Sequence, residues 1–188
     1  MNTPLTDTPL PDWLPALIPF PRDWNAFVRA LHVVFRRDFI DSKPRFRRCP
    51  VWHDRRVDRS DTHCYEEGFW HLVTRDEWVF DPRTRKKEKQ RLPDISRAEH
   101  LPWARPTIEH HADPTMLVWD FEEESRRGSA MRTYVWLKEL DYVVVMERQP
   151  HPRGDIYMLI TAFDVTHEGK RRDLTSRYER RRKEAGPA

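Results

Sequence analysis

The sequence predicts an α+β protein with a single twisted antiparallel β-sheet, in which helices cover one face and a basic helix ends the chain. The central observation is a series of three strand-like segments, residues 131–137, 142–148 and 156–165. The links between them, KELD and QPHPRGD, are short enough for antiparallel neighbours, and the second carries Pro and Gly turn chemistry. We therefore expect these segments to form a meander within one sheet.

Each of the three segments has its own side-chain pattern. Residues 131–137 alternate with a period of two, which is typical of a half-buried strand. Residues 142–148 (YVVVMER) are an apolar β-branched run, which is typical of a central strand covered on both faces. In residues 156–165, Tyr157 and Thr161 fall on the same face of the third strand.

The N-terminal part is predicted to be an arm followed by the first helix of the domain. Residues 1–22 hold six prolines, which exclude a long helix, so we expect an extended arm that packs against the domain or a partner. Residues 23–183 are predicted to form a single α+β domain. Asp23 is suited to N-cap a helix over residues 24–39, where apolar side chains recur at i, i+3 and i+4.

One or two further strands are expected between the first helix and the short helical region. Residues 45–60 alternate loosely, and Pro50 within them is compatible only with an edge strand. Residues 66–75 (EEGFWHLVTR) alternate more regularly and place His71 and Arg75 on one face. We expect both segments to extend the same sheet.

The remaining segments are assigned from local signals. Residues 83–91 are predicted to be a basic loop or frayed segment, and residues 115–122 a strand that enters the meander. Residues 96–99 are predicted to be a short helix, which a turn at residues 106–111 continues. Residues 171–183 are predicted to be the terminal helix.

Basic residues are concentrated in two clusters, although the formal net charge is only +3. Residues 83–91 carry six basic residues against one acidic residue, and residues 170–183 carry eight against two. In the terminal helix, Leu174 and Tyr178 are expected to point inward, with the basic side chains outside. Two such clusters favour a polyanionic partner, nucleic acid before membrane, and the alternative is a pair of solvated faces.

The compartment is predicted from cysteines and hydropathy. Cys49 and Cys64 are too few for a disulfide framework and fit a reducing environment. The N-terminus lacks a signal-type pattern, and no segment approaches the ~18 consecutive apolar residues of a membrane span. We therefore expect no membrane association and a cytoplasmic location.

Common cofactor and metal signatures are absent from the sequence. The five glycines form no phosphate-binding loop and no dinucleotide fingerprint, and no nucleophile elbow or zinc-protease motif is present. His63, Cys64 and His71, or the pair His110 and His111, match no strong zinc spacing. We therefore predict neither a cofactor nor a metal.

Polar side chains on the predicted sheet are of the types that cleave RNA without a metal. We take His71, Arg148, Thr161 and Tyr157 as candidate catalytic residues. A histidine can move protons at neutral pH, and an arginine can bind the phosphate bidentately and support its developing charge. The hydroxyl groups of Thr and Tyr can orient a phosphate oxygen.

Each candidate also has a purely structural interpretation. His71 is alternatively a hydrogen-bonded structural histidine, and Thr161 an ordinary strand residue. Arg148 is alternatively part of a surface salt bridge, and Tyr157 a core residue. The aliphatic stem of Arg132 can simply cover neighbouring aromatic rings.

Several segments together resemble a known class of ribonuclease. They are EEGFWHLVTR, RAEHLPWARPTIEH, MRTYVWL, YVVVMER, IYMLITAF and RRDLTSRYERRR. Over roughly residues 45–182, they look like the prokaryotic and phage-associated toxins of the barnase–EndoU–colicin–RelE (BECR) class. The resemblance implies a metal-independent endoribonuclease with a small antiparallel sheet and an N-terminal helical part.

The EndoU-like branch of that class implies specific site residues. A strand histidine corresponds to His71, and a Thr-x-Tyr pair corresponds in part to Thr161 and Phe163, since Phe163 has no hydroxyl. A second histidine and a lysine are also implied, and the alternatives that stay open are His100, His110, His151 and Lys138. The resemblance also places Arg97, Glu99 and Trp103 beside the site.

The leading hypothesis is a toxin-like endoribonuclease that produces a 2′,3′-cyclic phosphate and a 5′-hydroxyl. The expected substrate-binding residues are Arg75, Arg97, Trp103, Arg132, Lys86 and Lys87. The alternatives are a non-catalytic RNA-binding domain and a protein–protein interaction domain that docks through the N-terminal arm. A toxin is expected to have an antitoxin or immunity protein, and an acidic one would complement the basic clusters.

Overall fold

A six-stranded mixed β-sheet lies at the centre of the computed structural model, which describes residues 10–57, 59, 62–125 and 128–184. The strands are β1 (Arg45–Phe46), β2 (Cys49–Trp52), β3 (Thr74–Asp81), β4 (Lys86–Pro93), β5 (Met116–Ser125), β6 (Gly128–Leu137), β7 (Tyr142–Gln149) and β8 (Ile156–Asp164). The α-helices are α1 (Trp24–Phe35), α2 (Glu67–Val73), α3 (Ile95–Glu99), α4 (Ala104–Glu109) and α5 (Glu168–Glu184). The prediction of an α+β fold is therefore confirmed.

The topology differs from the predicted single antiparallel sheet. The large sheet has the order β1–β2–β8–β7–β6–β5, and β3 and β4 form a separate two-stranded hairpin. β2 runs parallel to β8, because a long connection containing helices separates them and allows a crossover. The hairpin stands apart because β4 (KKEKQRLP) has almost no apolar side chain to bury against another strand. Pro50 lies in β2, and the two-residue β1 takes the edge position instead.

The predicted meander is present in β5 to β8, whose consecutive strands pair antiparallel. β7 is the central strand that its apolar run predicts, with both faces covered. Val144 and Met146 belong to the larger hydrophobic core, and Val143 and Val145 belong to the smaller one. The four strands β5 to β8 therefore make up most of the large sheet.

Helices cover both faces of the sheet, so the prediction of helices on one face is wrong. Helices α1 to α4 pack on the larger core, whereas α5 covers the opposite face through Leu174 and Tyr178, as predicted for those two residues. Because α5 lies over Tyr134 and Trp136, residues 131–137 become buried on both faces at their C-terminal end. The half-buried strand predicted there is wrong for that reason.

A β-bulge at Ile160 changes which side chains of β8 share a face. Val145 pairs with Thr161, the next pair involves Leu159, and Ile160 is therefore the extra residue. Tyr157 and Leu159 face the larger core, whereas Thr161 is paired with a residue of the smaller core. Tyr157 and Thr161 do not share a face, because the bulge shifts the alternation by one residue.

Two segments that contribute to the hairpin adopt structures other than those predicted. Residues 66–75 form α2 and only the beginning of β3, with Phe69, Leu72 and Val73 buried at a helical spacing. Residues 83–91 form the turn and most of β4 instead of a loop. A short run of apolar residues fits both periodicities, and a polar strand leaves no alternating signal.

The N-terminal segment is tied to the domain. Asp23 N-caps α1 as predicted, and Trp103 Nε1 donates a 2.8 Å hydrogen bond to the carbonyl oxygen of Pro15. α1 ends at Phe35 and continues as a π-helical turn at Arg36–Ile40. The described part of the Pro-rich arm therefore lies against its own domain, and residues 1–9 of that arm lie outside the described residues.

The outer edge of the sheet is β5, and two arginines contact it. The Arg181 guanidinium on α5 donates a 2.8 Å hydrogen bond to the carbonyl oxygen of Val118. Arg47, in the turn between β1 and β2, lies 3.3 Å from the Asp120 carboxylate. The edge strand is thus held by side chains from both ends of the domain.

Candidate functional site

A depression of about 840 Å³ lies between α2 and the β3–β4 hairpin, and we call it the hairpin cleft. Its walls combine aromatic rings, a histidine and several cations: Trp24, Arg56, Trp70, His71, Lys89 and Arg91. The carboxylates of Glu67 and Asp76 also line it. These are the residue types that bind a phosphodiester and move protons beside it.

His71 lies where the hairpin cleft meets a second depression of about 470 Å³, which we call the strand groove. The strand groove is lined by His53 and Asp54 after β2 and by Met158 and other residues of β8. Arg56, like His71, lines both depressions. A ligand that spans both depressions would therefore contact His71.

Helix α2 determines the position of His71. Glu67 and His71 are four residues apart on the exposed side of α2, opposite its buried side. Gly68 allows residues after β2 to lie against the helix, because a Cβ there would come within 2.9 Å of the His53 Cβ. His71 is thus a helical residue, so its predicted strand position and its match to a strand histidine are both wrong.

The surroundings of His71 favour the neutral form of its imidazole. Desolvation by the surrounding protein lowers the pKa of the His71 imidazole from its usual 6.5, and the nearby Arg91 acts in the same direction. The Glu67 carboxylate opposes this shift in part. A neutral imidazole that faces a basic cleft is able to accept a proton.

Carboxylates hold the cations of the hairpin cleft. Arg91 lies 2.5 Å from the Glu67 carboxylate, and Lys89 lies 2.5 Å from the Asp76 carboxylate. The Arg56 guanidinium forms a forked pair with Asp54 just outside the cleft, and this pairing lowers the pKa of the Asp54 carboxyl. The side chains of Arg56 and Lys89 are more than half exposed, so a phosphate can approach both.

Three predicted site residues meet in a different depression of about 520 Å³, the strand-end cleft, which lies between α3, the end of β8 and the start of α5. These residues are Arg75, Arg97 and Thr161. The Arg97 guanidinium donates to the carbonyl oxygen of Thr74 at 2.8 Å, and the Thr161 hydroxyl donates to the carbonyl oxygen of His71 at 3.0 Å. Both side chains therefore connect the rest of the domain to α2 and to the start of the hairpin, which indicates a structural role.

Arg148 and Tyr157 line neither of the two depressions that His71 lines. Arg148 pairs with Asp155 across the β7–β8 turn, with its Nε 2.8 Å from the carboxylate, which raises the pKa of the Arg148 guanidinium. Tyr157 is buried in the larger core, where its ring meets Phe46 edge-on at 4.8 Å. Their predicted catalytic roles are not supported by this geometry, because one is a surface ion pair and the other a core residue.

Arg132 and Trp103 also have structural surroundings. Arg132 forms an ion pair with Glu147 on the α5 side of the sheet. Trp103 is buried and packs edge-on against His100 and Tyr142. Neither side chain lines the hairpin cleft.

The two hairpin lysines differ in orientation. Lys86 pairs with Asp81 in the hairpin register, and Lys87 pairs with Phe80. Because side chains alternate along a strand, Lys87 shares the face that carries Lys89 and the cleft, whereas Lys86 points to the other face. Both remain exposed.

Sequence reasoning missed four residues of this site: His53, Arg56, Lys89 and Arg91. Lys89 and Arg91 lie in a segment taken for a loop, so their common face was hidden until β4 was known. His53 is buried, and desolvation lowers the pKa of its imidazole. The one available signal was the sequence HDRR directly after the strand CPVW, which places a histidine and charged residues at a strand end.

Comparisons with other proteins add no assignment to this geometry. Among the residues that the structure describes, no group of three or more His, Cys, Asp or Glu side chains is placed to hold a metal ion. None of the described helices has the length and apolar character needed to cross a bilayer. No protein-family model, curated protein or solved structure matches the chain.

Proposed function

We propose that the protein is a metal-independent endoribonuclease that cleaves RNA in the hairpin cleft. The observation that supports this most directly is the position of His71 at the junction of two depressions, beside Arg56 and one helical turn from Glu67. Its lowered pKa favours the neutral imidazole, which can take a proton from a 2′-hydroxyl.

The nucleophile in the proposed reaction is the 2′-hydroxyl of the RNA itself. Its oxygen bonds to the neighbouring phosphorus while its proton passes to the His71 imidazole. The bond from phosphorus to the 5′-oxygen breaks, and the Lys89 ammonium donates a proton to that oxygen. The products are a 2′,3′-cyclic phosphate and a 5′-hydroxyl, and exchange with solvent restores both protein groups.

The cations of the cleft support the charge that develops on phosphorus. Exposed ion pairs such as Lys89–Asp76 contribute only about 0–1 kcal/mol, so exchanging a carboxylate for a phosphate costs little. A guanidinium binds two phosphate oxygens at once, and Arg56 and Arg91 both line the cleft together with His71. These residues take the roles that were predicted for Arg148 and Tyr157.

The partners that follow from this proposal are RNA and an inhibitor. A cytoplasmic location would give the enzyme access to cellular RNA. An acidic antitoxin or immunity protein would complement Arg56, Lys89 and Arg91 and would block the cleft. The resemblance to BECR-class toxins is a further reason to expect such a protein.

The test uses purified protein, total tRNA and an excess of EDTA. We expect defined fragments that end in a 2′,3′-cyclic phosphate and begin with a 5′-hydroxyl. A matched RNA with 2′-O-methyl groups should bind and stay intact, because its nucleophile is blocked. Fragments with 5′-phosphates, or cleavage of the methylated RNA, would contradict the proposed chemistry.

A non-catalytic RNA-binding domain is the second candidate. It is favoured by the cleft cations and by Trp24 and Trp70, which would serve binding without any proton transfer. tRNA that is bound at low salt but never cut would support this candidate. A chain that neither binds nor cuts RNA would instead agree with the protein–protein interaction hypothesis.

A further inference from the structure

The two faces of the β3–β4 hairpin differ in chemistry. The pairing of Asp76 with Arg91, Trp78 with Lys89 and Phe80 with Lys87 puts these six residues on one face. The base of that face, Asp76, Lys89 and Arg91, lines the hairpin cleft. We call the six residues the platform face, and it is an outward extension of the cleft wall.

Aromatic rings on the platform face are unusually exposed. Trp78 is 68% exposed and Phe80 is 56% exposed, although large apolar side chains are normally buried. Each ring lies directly across from a lysine, Lys89 for Trp78 and Lys87 for Phe80. Exposed rings that each lie beside a cation suit a single nucleic-acid strand, whose bases can stack on the rings while the cations neutralise its phosphates.

The opposite face of the hairpin lacks this arrangement. It carries Glu77, Val79 and Asp81 on β3 and Lys86, Glu88 and Gln90 on β4. Its charges are mixed, and its base, at Arg75, lines the strand-end cleft. Only the platform face is therefore complementary to a polyanion.

We propose that the platform face is a stacking site for single-stranded RNA, which guides the strand into the hairpin cleft. Trp78 and Phe80 each stack on a base, and Lys87 binds the phosphate between them. The two rings are two residues apart on one strand, about 7 Å along it, which suits neighbouring bases of an extended chain. The identification of RNA as the ligand rests on the proposed function, but the stacking geometry does not depend on cleavage.

Duplex RNA is a poor ligand for such a face. Bases within a helix are already stacked on each other, and side chains cannot enter the narrow major groove of an A-form helix. The platform face therefore confers a preference for unpaired segments, such as loops and single-stranded ends. This preference decides which positions of a folded RNA reach His71.

The test measures binding of a fluorescent, unstructured 2′-O-methyl RNA of about 12 nucleotides, within the size range of known single-strand sites. This probe cannot be cut, so affinity is read independently of catalysis. We expect Trp78→Ala and Phe80→Ala each to weaken binding by roughly tenfold, and the matched control Val79→Ala, on the other face, to leave it unchanged. Lys87→Gln should weaken binding more than Lys86→Gln, which makes the same charge change on the neighbouring residue.

Four outcomes separate this inference from the proposed function. Loss of affinity in the platform variants together with EDTA-resistant cleavage supports both. The same loss of affinity in a protein that never cuts RNA keeps the stacking site and refutes the nuclease. Equal affinity of Trp78→Ala, Phe80→Ala and Val79→Ala, or equal effects of the two lysine variants, refutes the stacking site. An acidic protein that binds this face more tightly than RNA, with Trp78→Ala leaving RNA affinity unchanged, would also refute it.

Discussion

The hairpin cleft and the strand-end cleft are built from similar residue types that have different partners. In the strand-end cleft, Arg97 and Thr161 donate to backbone carbonyl groups of α2 and β3. In the hairpin cleft, Lys89 and Arg91 are paired with carboxylates, which a phosphate can replace. The hydrogen bonds in the strand-end cleft are part of the fold, whereas a phosphate can replace the carboxylates in the ion pairs of the hairpin cleft.

This difference shows that a cluster of polar residues is not by itself a site. Three of the predicted site residues meet in the strand-end cleft, yet two of them, Arg97 and Thr161, form hydrogen bonds with the backbone. The partners of each side chain are a better guide than the number of polar groups. If this distinction is correct, substitutions in the hairpin cleft change the cleavage or binding of RNA, and substitutions in the strand-end cleft change the stability of the fold.

The largest effect is expected from His71→Ala. Removing a general base typically costs about 10²- to 10⁴-fold in rate, and we expect a loss of that size in single-turnover cleavage with unchanged affinity for 2′-O-methyl RNA. Thr161→Val, at the strand-end cleft, should keep the rate once stability is taken into account. A Thr161 variant that loses the rate while His71→Ala retains it would reverse the assignment of the two clefts.

Arg97→Gln is expected to act on stability instead of catalysis. Arg97 is largely buried and donates to a backbone carbonyl, so its loss should lower the free energy of unfolding by about 2 kcal/mol. Urea denaturation measures this change, and the cleavage rate per folded molecule should stay constant. Arg75→Gln is the control, because its exposed pair with Glu77 should contribute under about 0.5 kcal/mol.

The pH dependence of cleavage should follow His71. As a general base it acts in its neutral form, so the rate should fall when the pH drops below its pKa, by about tenfold per pH unit. Desolvation lowers the pKa of His71, so the fall should begin at a lower pH than the usual histidine value of 6.5. Rates that instead decline as the pH rises through this region would assign His71 to the role of general acid.

The smallest expected effect is on the salt dependence of binding. Arg56→Gln should reduce the slope of log affinity against log salt by about one, because each lost phosphate contact releases one counterion fewer. Lys170→Gln, in the strand-end cleft, should leave the slope unchanged. Equal reductions of the slope in Arg56→Gln and Lys170→Gln would mean that RNA contacts both clefts.

The sequence predicted the parts of the fold where one periodicity is unambiguous. The β-branched run at residues 142–148 identified a central strand, and Leu174 identified the buried side of the terminal helix. Residues 66–75 were misassigned because their buried residues fit an alternating and a helical spacing over so short a length. The bulge at Ile160 leaves no sequence signal, and it separated Tyr157 from Thr161.

The candidate site was harder to predict than the fold. His71 was identified as a polar residue among apolar ones, although on the wrong kind of element. Lys89 and Arg91 lie in a charged segment that shows no alternation of apolar and polar residues. This segment forms a strand by pairing with β3, and the sequence of the segment alone does not reveal that pairing. The family resemblance placed Arg97 beside the site, whereas its hydrogen bond to the carbonyl oxygen of Thr74 indicates a structural role.

The contact between Arg181 and β5 has a consequence for solubility. β5 is the open edge of the large sheet, and an open edge offers its carbonyl groups to strands of other molecules. Arg181 occupies one of those carbonyl groups, and α5 covers the aromatic residues beneath it. A protein truncated before α5 should therefore aggregate through pairing of its exposed β5 edges. The terminal helix thus also protects the protein against self-association.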